Sequence, residues 1–317
     1  MVDRFRDSFA IIKYCFTAII KWPVLITPLL FCWALYAPLV LYIKFGLKTK
    51  GMPVMTQLGI SFIIICILSF ILSISCLWVL ELMRQIEIKG RVNLFEAFFN
   101  LLVRDVIRAL PIMILWAFIW FILFVLSVIF SKKHNDDDNN QSLTAESAAE
   151  TLMGTNNISF SGAFFSAVEK AVRMIVFLIY PAIAWEGRNS FDAIKRGMQI
   201  LKGHLKKFVG GYILTEVAAA LVYLPAAILY EIHSRLHVQY PDWVWVTILI
   251  YLAFAWSLSM LLEQLYTADL YTWNAKWEHE CRKIKHAKGP KAKLPSLSKV
   301  KPPSLLDDTP DMKFFKR

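Results

Sequence analysis

Paired cysteines are missing from this chain. The five present, Cys15, Cys32, Cys66, Cys76 and Cys281, stand singly. No CxxC redox couple and no zinc set of neighbouring ligands can be built from them. They read as small packing residues without a disulfide framework. Also missing are an HExxH pair, a Walker loop, a GxGxxG turn and any local Ser-His-Asp or Cys-His arrangement. Each absence removes a class of chemistry, so an enzyme is disfavoured and no cofactor or metal is expected; only a triad assembled from distant residues stays open.

Charge is scarce as well. Charged residues make up 19% and hydrophobic residues 57% of the 317, against about 25% and about 45–50% in soluble domains. The surplus falls in blocks. A helix needs roughly 20 apolar residues to cross a bilayer, and runs of that kind occupy 24–43, 58–80, 110–130, 163–185, 208–230 and 243–262. The expected fold is therefore all-α and polytopic, with six transmembrane helices. No small-residue cleavage site follows the first run, so a removable signal peptide is not expected.

Orientation follows from the basic residues, because translocated loops are depleted in Lys and Arg. Twenty-seven of the 35 Lys and Arg fall in the N-terminal segment, the second and fourth connections and the tail. Both termini are expected to face the cytoplasm of a bacterial cell, with the protein multi-pass in its inner membrane. The net charge of +11 is then a matter of topology and tail, and nucleic acid is not an expected partner.

Three short segments share one grammar when aligned on Phe9, Phe95 and Phe191. Two residues earlier stands Asp7, Asn93 or Asn189, each able to accept a hydrogen bond from a helix's first turn. Alanine follows, one residue later as Ala10 and two residues later as Ala97 and Ala193. Apolar residues then recur at steps of three and four, with cations on the opposite faces, as in a helix lying at a membrane surface against anionic headgroups. The predicted domain at 1–273 is accordingly three repeats, about 4–81, 90–186 and 187–273, each an interfacial helix followed by a transmembrane hairpin. A polar outer loop at 131–161 interrupts the second, and a basic, proline-rich cytoplasmic tail at 274–317 follows the third.

The third repeat carries a more specific string. Residues 173–197, RMIVFLIYPAIAWEGRNSFDAIKRG, resemble the signature of a family of uncharacterised polytopic membrane proteins of bacteria and archaea. That family is related to the membrane domain attached to some glycerophosphodiester phosphodiesterases. Pro181, Glu186, Gly187, Ala193, Lys195 and Arg196 fit the pattern, whereas Gly197 stands where serine is usual. The resemblance implies the six-helix layout over about 4–272 and no catalytic activity, since no phosphodiesterase domain is present.

Ionisable residues within apolar runs cost several kcal/mol each unless paired or hydrated. Glu216 is placed about 12 Å up the fifth helix, and Arg173 about 20 Å along the fourth, from which a long side chain can reach Glu216. The two are the candidate ligand-binding residues, on a solute or proton path. The plain alternative is a buried ion pair that sets helix packing, or a protonated Glu216 bonded to Thr215 or backbone. Glu169 and Lys170 are expected higher still, and Glu263 and Asp269 at or below the inner end of the sixth helix, near water. His233 and His237 make an i, i+4 pair lacking the third ligand that zinc needs. The run at 135–141 reads as a solvated linker. Lysines in the tail favour anionic lipid at about 1 kcal/mol each, with a cytosolic protein as the other partner in view; Trp273 and Trp277 shield the inner mouth or seat an interfacial helix. The leading expectation is a membrane organiser or partner-binding scaffold, and the second is a transporter or lipid-handling protein with an intramembrane charged site.

Overall fold

A computed structural model describes residues 2–42, 53–131, 160–236, 238, 240–289 and 294–300. Nine α-helices occur among the described residues: α1 (Val2–Lys21), α2 (Thr27–Leu41), α3 (Val54–Lys89), α4 (Leu94–Arg104), α5 (Val106–Ser131), α6 (Phe160–Ala184), α7 (Ser190–Gly203), α8 (Leu205–Leu236) and α9 (Asp242–Lys288). Short 3-10 turns stand at Pro23–Ile26 and Leu297–Lys299. The outer loop and the run at 135–141 lie outside the described residues.

Five helices are long and apolar enough to cross a membrane, within Pro23–Leu41, Met55–Lys89, Val106–Leu126, Leu205–Leu236 and Asp242–Lys288. α6 has the length, at 25 residues, but Glu169, Lys170 and Arg173 interrupt its apolar run. The count of six expected from the sequence thus becomes five by composition, and the difference is one cluster of charges.

α9 is the centre of the bundle. It packs against α1, α2, α6 and α8, and every residue from Ser257 to Ala275 is buried. A helix surrounded in this way must be satisfied all round. Its polar groups accordingly reach neighbours: Gln264 Nε2 donates to the Cys76 carbonyl at 2.6 Å, and Tyr266 OH to the Lys207 carbonyl at 2.7 Å. Glu263 and Asp269 are buried here, which corrects their expected place near water. The correction has a simple cause, because the helix does not end near 262. It runs unbroken to Lys288, about 70 Å at 1.5 Å per residue, so the tail boundary at 274 moves outward as well.

The first turns of the three amphipathic helices differ from one another. Asn93 caps α4, its side chain accepting from Glu96 N at 3.1 Å. Asn189 holds the cap position of α7 in extended backbone but without a side-chain bond; the neighbouring Ser190 hydroxyl donates to the Arg108 carbonyl and ties α7 to the start of α5. Asp7 is no cap at all. α1 begins at Val2, because Val2, Phe5, Phe9 and Ile12 already keep helical spacing upstream of it. The aligned phenylalanines are outward, with Phe9 63%, Phe95 87% and Phe191 82% exposed, whereas Ala97 and Ala193 are buried.

The string at 173–197 forms the joint between α6 and α7. α6 ends at Ala184, and Gly187 adopts φ 66°, a left-handed value that closes the helix as Gly187 N and Arg188 N donate back to Ile183 and Ala182, each at 3.1 Å. Glu186 then accepts from Tyr271 OH on α9 at 2.6 Å. Arg196 forks onto Glu278 at 2.6 and 2.8 Å. Gly197 lies against α6 so closely that an added Cβ would stand 2.6 Å from an Ile179 side-chain carbon. Glycine at this position has a packing reason.

Candidate functional site

α6 sets Glu169, Lys170 and Arg173 within little more than one helical turn, and Glu169 and Arg173, four apart, lie 3.8 Å from one another. α8 and α9 each pack on their neighbours such that Glu216 and Glu263 come to the same place. Lys170 Nζ donates to Glu216 and stands 3.4 Å from Glu263. Arg173 forks onto Glu263, Nε to Oε2 at 2.8 Å and Nη2 to Oε1 at 3.1 Å, the bidentate geometry that suits guanidinium and carboxylate. The charges therefore alternate in one chain: Glu216, Lys170, Glu263, Arg173, Glu169.

Three helices agree on the depth of this chain. Arg173 is eleven residues before the end of α6, Glu216 eleven after the start of α8, and Glu263 eleven before Asn274, which bonds His204 at 2.9 Å beside that start. Eleven residues are about 16 Å, close to half of a roughly 30 Å hydrocarbon core. The charges stand at one level of the bundle.

A cavity of about 510 Å³ opens beside them, floored by α9 and flanked by α6 and α8. Tyr212 and Tyr223 of α8 and Ser259 of α9 face it together with the charged groups. Tyr212 OH donates to the Ala167 carbonyl at 3.1 Å, and its ring lies 5.0 Å from Lys170 Nζ, so one residue ties α8 to α6 across the cleft. The middle of the charge chain is sealed, Glu263 being 1% exposed, while its terminal carboxylates are open, Glu216 at 61% and Glu169 partly so. With all five groups ionised the cleft carries one negative charge in excess.

The sequence-derived pair is thus divided. Arg173 and Glu216 line one cavity, but Arg173 binds Glu263 and Glu216 binds Lys170. Lys170 and Glu263 are the residues of this cleft that sequence reasoning undervalued. The available signal was the charge triplet in α6, which needs more than one carboxylate opposite it. His233 Nδ1 meets the Val238 carbonyl at 2.7 Å and its ring packs edge-on against Trp245; His237 lies outside the described residues. No group of three metal-ligating side chains occurs among the described residues.

The end of the bundle where α7 meets α8 holds a second set of contacts. Trp277 Nε1 donates to the Pro295 carbonyl at 2.8 Å and Trp273 Nε1 to the Val300 carbonyl at 2.9 Å, so these tryptophans seat the tail segment. Burial lowers the His204 imidazole below its ordinary value, a hydrogen bond to Asn274 opposing part of the effect. Comparison of the chain with protein-family models, with curated proteins and with solved structures finds no match.

Proposed function

We propose that this chain is a multi-pass membrane transporter that takes a small cationic solute into the cleft between α6, α8 and α9, without catalysis. The observation that carries the reading is the cavity that reaches Glu216 at mid-membrane depth, where a purely structural ion pair would be packed dry. Charged groups in such a place ordinarily line a solute path, and the excess carboxylate favours a positively charged occupant. The cavity supports solute handling over the organiser role.

The same reading makes α6 a sixth crossing. It packs between α5 and α9 and its cations are neutralised by Glu263 and Glu216, which removes the composition penalty that set it apart. Three modules then follow one another, α1 to α3, α4 to α6 and α7 to α9, each an amphipathic helix leading into two mainly apolar ones. The Lys and Arg bias supports a placement with both termini on the cytoplasmic side of a bacterial inner membrane.

The test is flux across proteoliposomes loaded with a pH-sensitive dye, with methylammonium, ethanolamine and choline as probes. Uptake or coupled proton movement is expected for at least one probe, falling by about tenfold or more in Glu216→Gln, the loss expected when more than about 1.4 kcal/mol of charge interaction is removed. Flux unchanged in both Glu216→Gln and Lys170→Met would sink the proposal, as would absence of flux in the parent protein together with a stoichiometric copurifying protein, which belongs to the organiser role.

A further inference from the structure

A second cavity lies about 16 Å from the charged cleft, at the end of the bundle where α7 meets α8. A cavity of about 760 Å³ is bounded there by Arg196, Lys202, His204, Lys206, Lys207 and Glu278. Its volume is in the range of small-molecule sites, about 300–1,000 Å³. One wall is apolar, built from Trp277 and from Leu297 of the tail segment.

Two observations point to an anion. The first is the charge count, four permanent cations against one carboxylate, and that carboxylate is already engaged: Glu278 accepts both Arg196 bonds and a third from Asn274 Nδ2 at 2.9 Å. Lys202 and Lys206 make no ion pair among the described residues. The second is where the lysines stand. Lys206 and Lys207 occupy the first turn of α8, a helix of 32 residues, and cations are unfavourable at the positive end of a helix dipole. Lys202, from the last turn of α7, joins them, so cations from two helix ends converge on one pocket, an arrangement relieved by a bound anion and matched to phosphate.

We propose that this cavity binds a phosphate-ester anion, either the headgroup of an anionic phospholipid in the adjoining leaflet or a soluble phosphate monoester of the same chemistry. The site is distinct from the charged cleft and does not depend on its proposed role. Its position at the level of the amphipathic α7 brings the headgroup layer to it, and the Trp277 and Leu297 wall meets the glycerol and first methylenes. Basic pockets between helices hold acidic headgroups in this manner.

The test uses the full chain in detergent, with phosphatidylglycerol, phosphatidylcholine and glycerol phosphate as separate probes, and lipid retention read by native mass spectrometry alongside binding isotherms. Phosphatidylglycerol is expected to be retained over phosphatidylcholine. Lys202→Gln with Lys206→Gln should weaken its binding by about 30-fold, from about 1 kcal/mol per lysine. The double variant Lys13→Gln with Lys21→Gln, which removes cations from α1, should leave it unchanged. Binding of glycerol phosphate alone, with the same sensitivity to Lys202 and Lys206, identifies the soluble ester as the source and supports the site. Equal affinity for both lipids, or equal loss in the α1 variant, overturns it. A Lys202→Arg, Lys206→Arg variant guards against misfolding and should bind like the parent.

Discussion

Glu263 holds two cations at once, Arg173 by a fork and Lys170 at 3.4 Å. Removing it leaves both in a buried place, and breaking a buried pair costs about 3–5 kcal/mol. Glu263→Gln is therefore expected to lower the unfolding midpoint in detergent strongly. Glu169→Gln, at the half-exposed rim, is expected to cost about 1 kcal/mol or less, and equal losses would refute the sealed-middle arrangement. His204 gives a second prediction. Its folded-state value is depressed from 6.5 by burial, with Lys207 lowering it further and Asn274 and Glu278 opposing. A base with a depressed folded value contributes fully above its unfolded value and loses that contribution as the pH falls. Acidification below pH 6.5 should destabilise the protein, and His204→Gln should flatten the stability profile across that range. The charged residues of the cleft were legible in the sequence because a charge in an apolar run is conspicuous. Their pairing was not. Arg173 and Glu263 are 90 positions apart, and which carboxylate meets which cation depends on helix rotation, which hydropathy does not encode.

At the scale of elements, close approach decides the packing of α8 on α9. A Cβ added at Gly211 would stand 1.8 Å from a Tyr266 ring carbon, whereas one at Gly203 meets nothing within 4 Å. Gly211→Ala is expected to cost about 1–3 kcal/mol by overpacking, read as a lowered unfolding midpoint, with Gly203→Ala close to neutral. The outward phenylalanines give the opposite signature. Phe95→Ser with Phe191→Ser should leave folding in detergent nearly unchanged yet weaken protection of α4 and α7 from hydrogen exchange in lipid bilayers, because interfacial helices are held by buried apolar area. Most elements were readable from periodicity. Asn93 was readable as a cap because an extended, polar residue precedes a strongly amphipathic run, and Asp7 misled because apolar spacing continues upstream of it. The end of α9 was misread because polar residues from Glu263 to Asn274 look like an exit from the membrane, when α1, α2, α6 and α8 cover them.

For the whole molecule, the tail segment is a working part of the inner end. Deleting residues 289–317 strips the carbonyl partners from Trp273 and Trp277, each bond worth about 1 kcal/mol. The shortened protein is expected to unfold earlier and to show tryptophan emission shifted to the red. An unchanged spectrum and midpoint would show that the seat carries no energy. Hydropathy alone revealed a helical, many-crossing chain, and could not reveal that one helix packs against four others.

That helix has a property that three of its four neighbours lack. α2, α5, α6 and α8 each contain an internal proline, Pro38, Pro111, Pro181 and Pro225, while α9 has neither proline nor glycine in its 47 residues. Glu263 and Glu278 are fifteen residues apart on it, about 22 Å along the axis and within about 60° of the same side. One unbroken helix thus fixes the spacing between a carboxylate of the charged cleft and a carboxylate of the basic cavity.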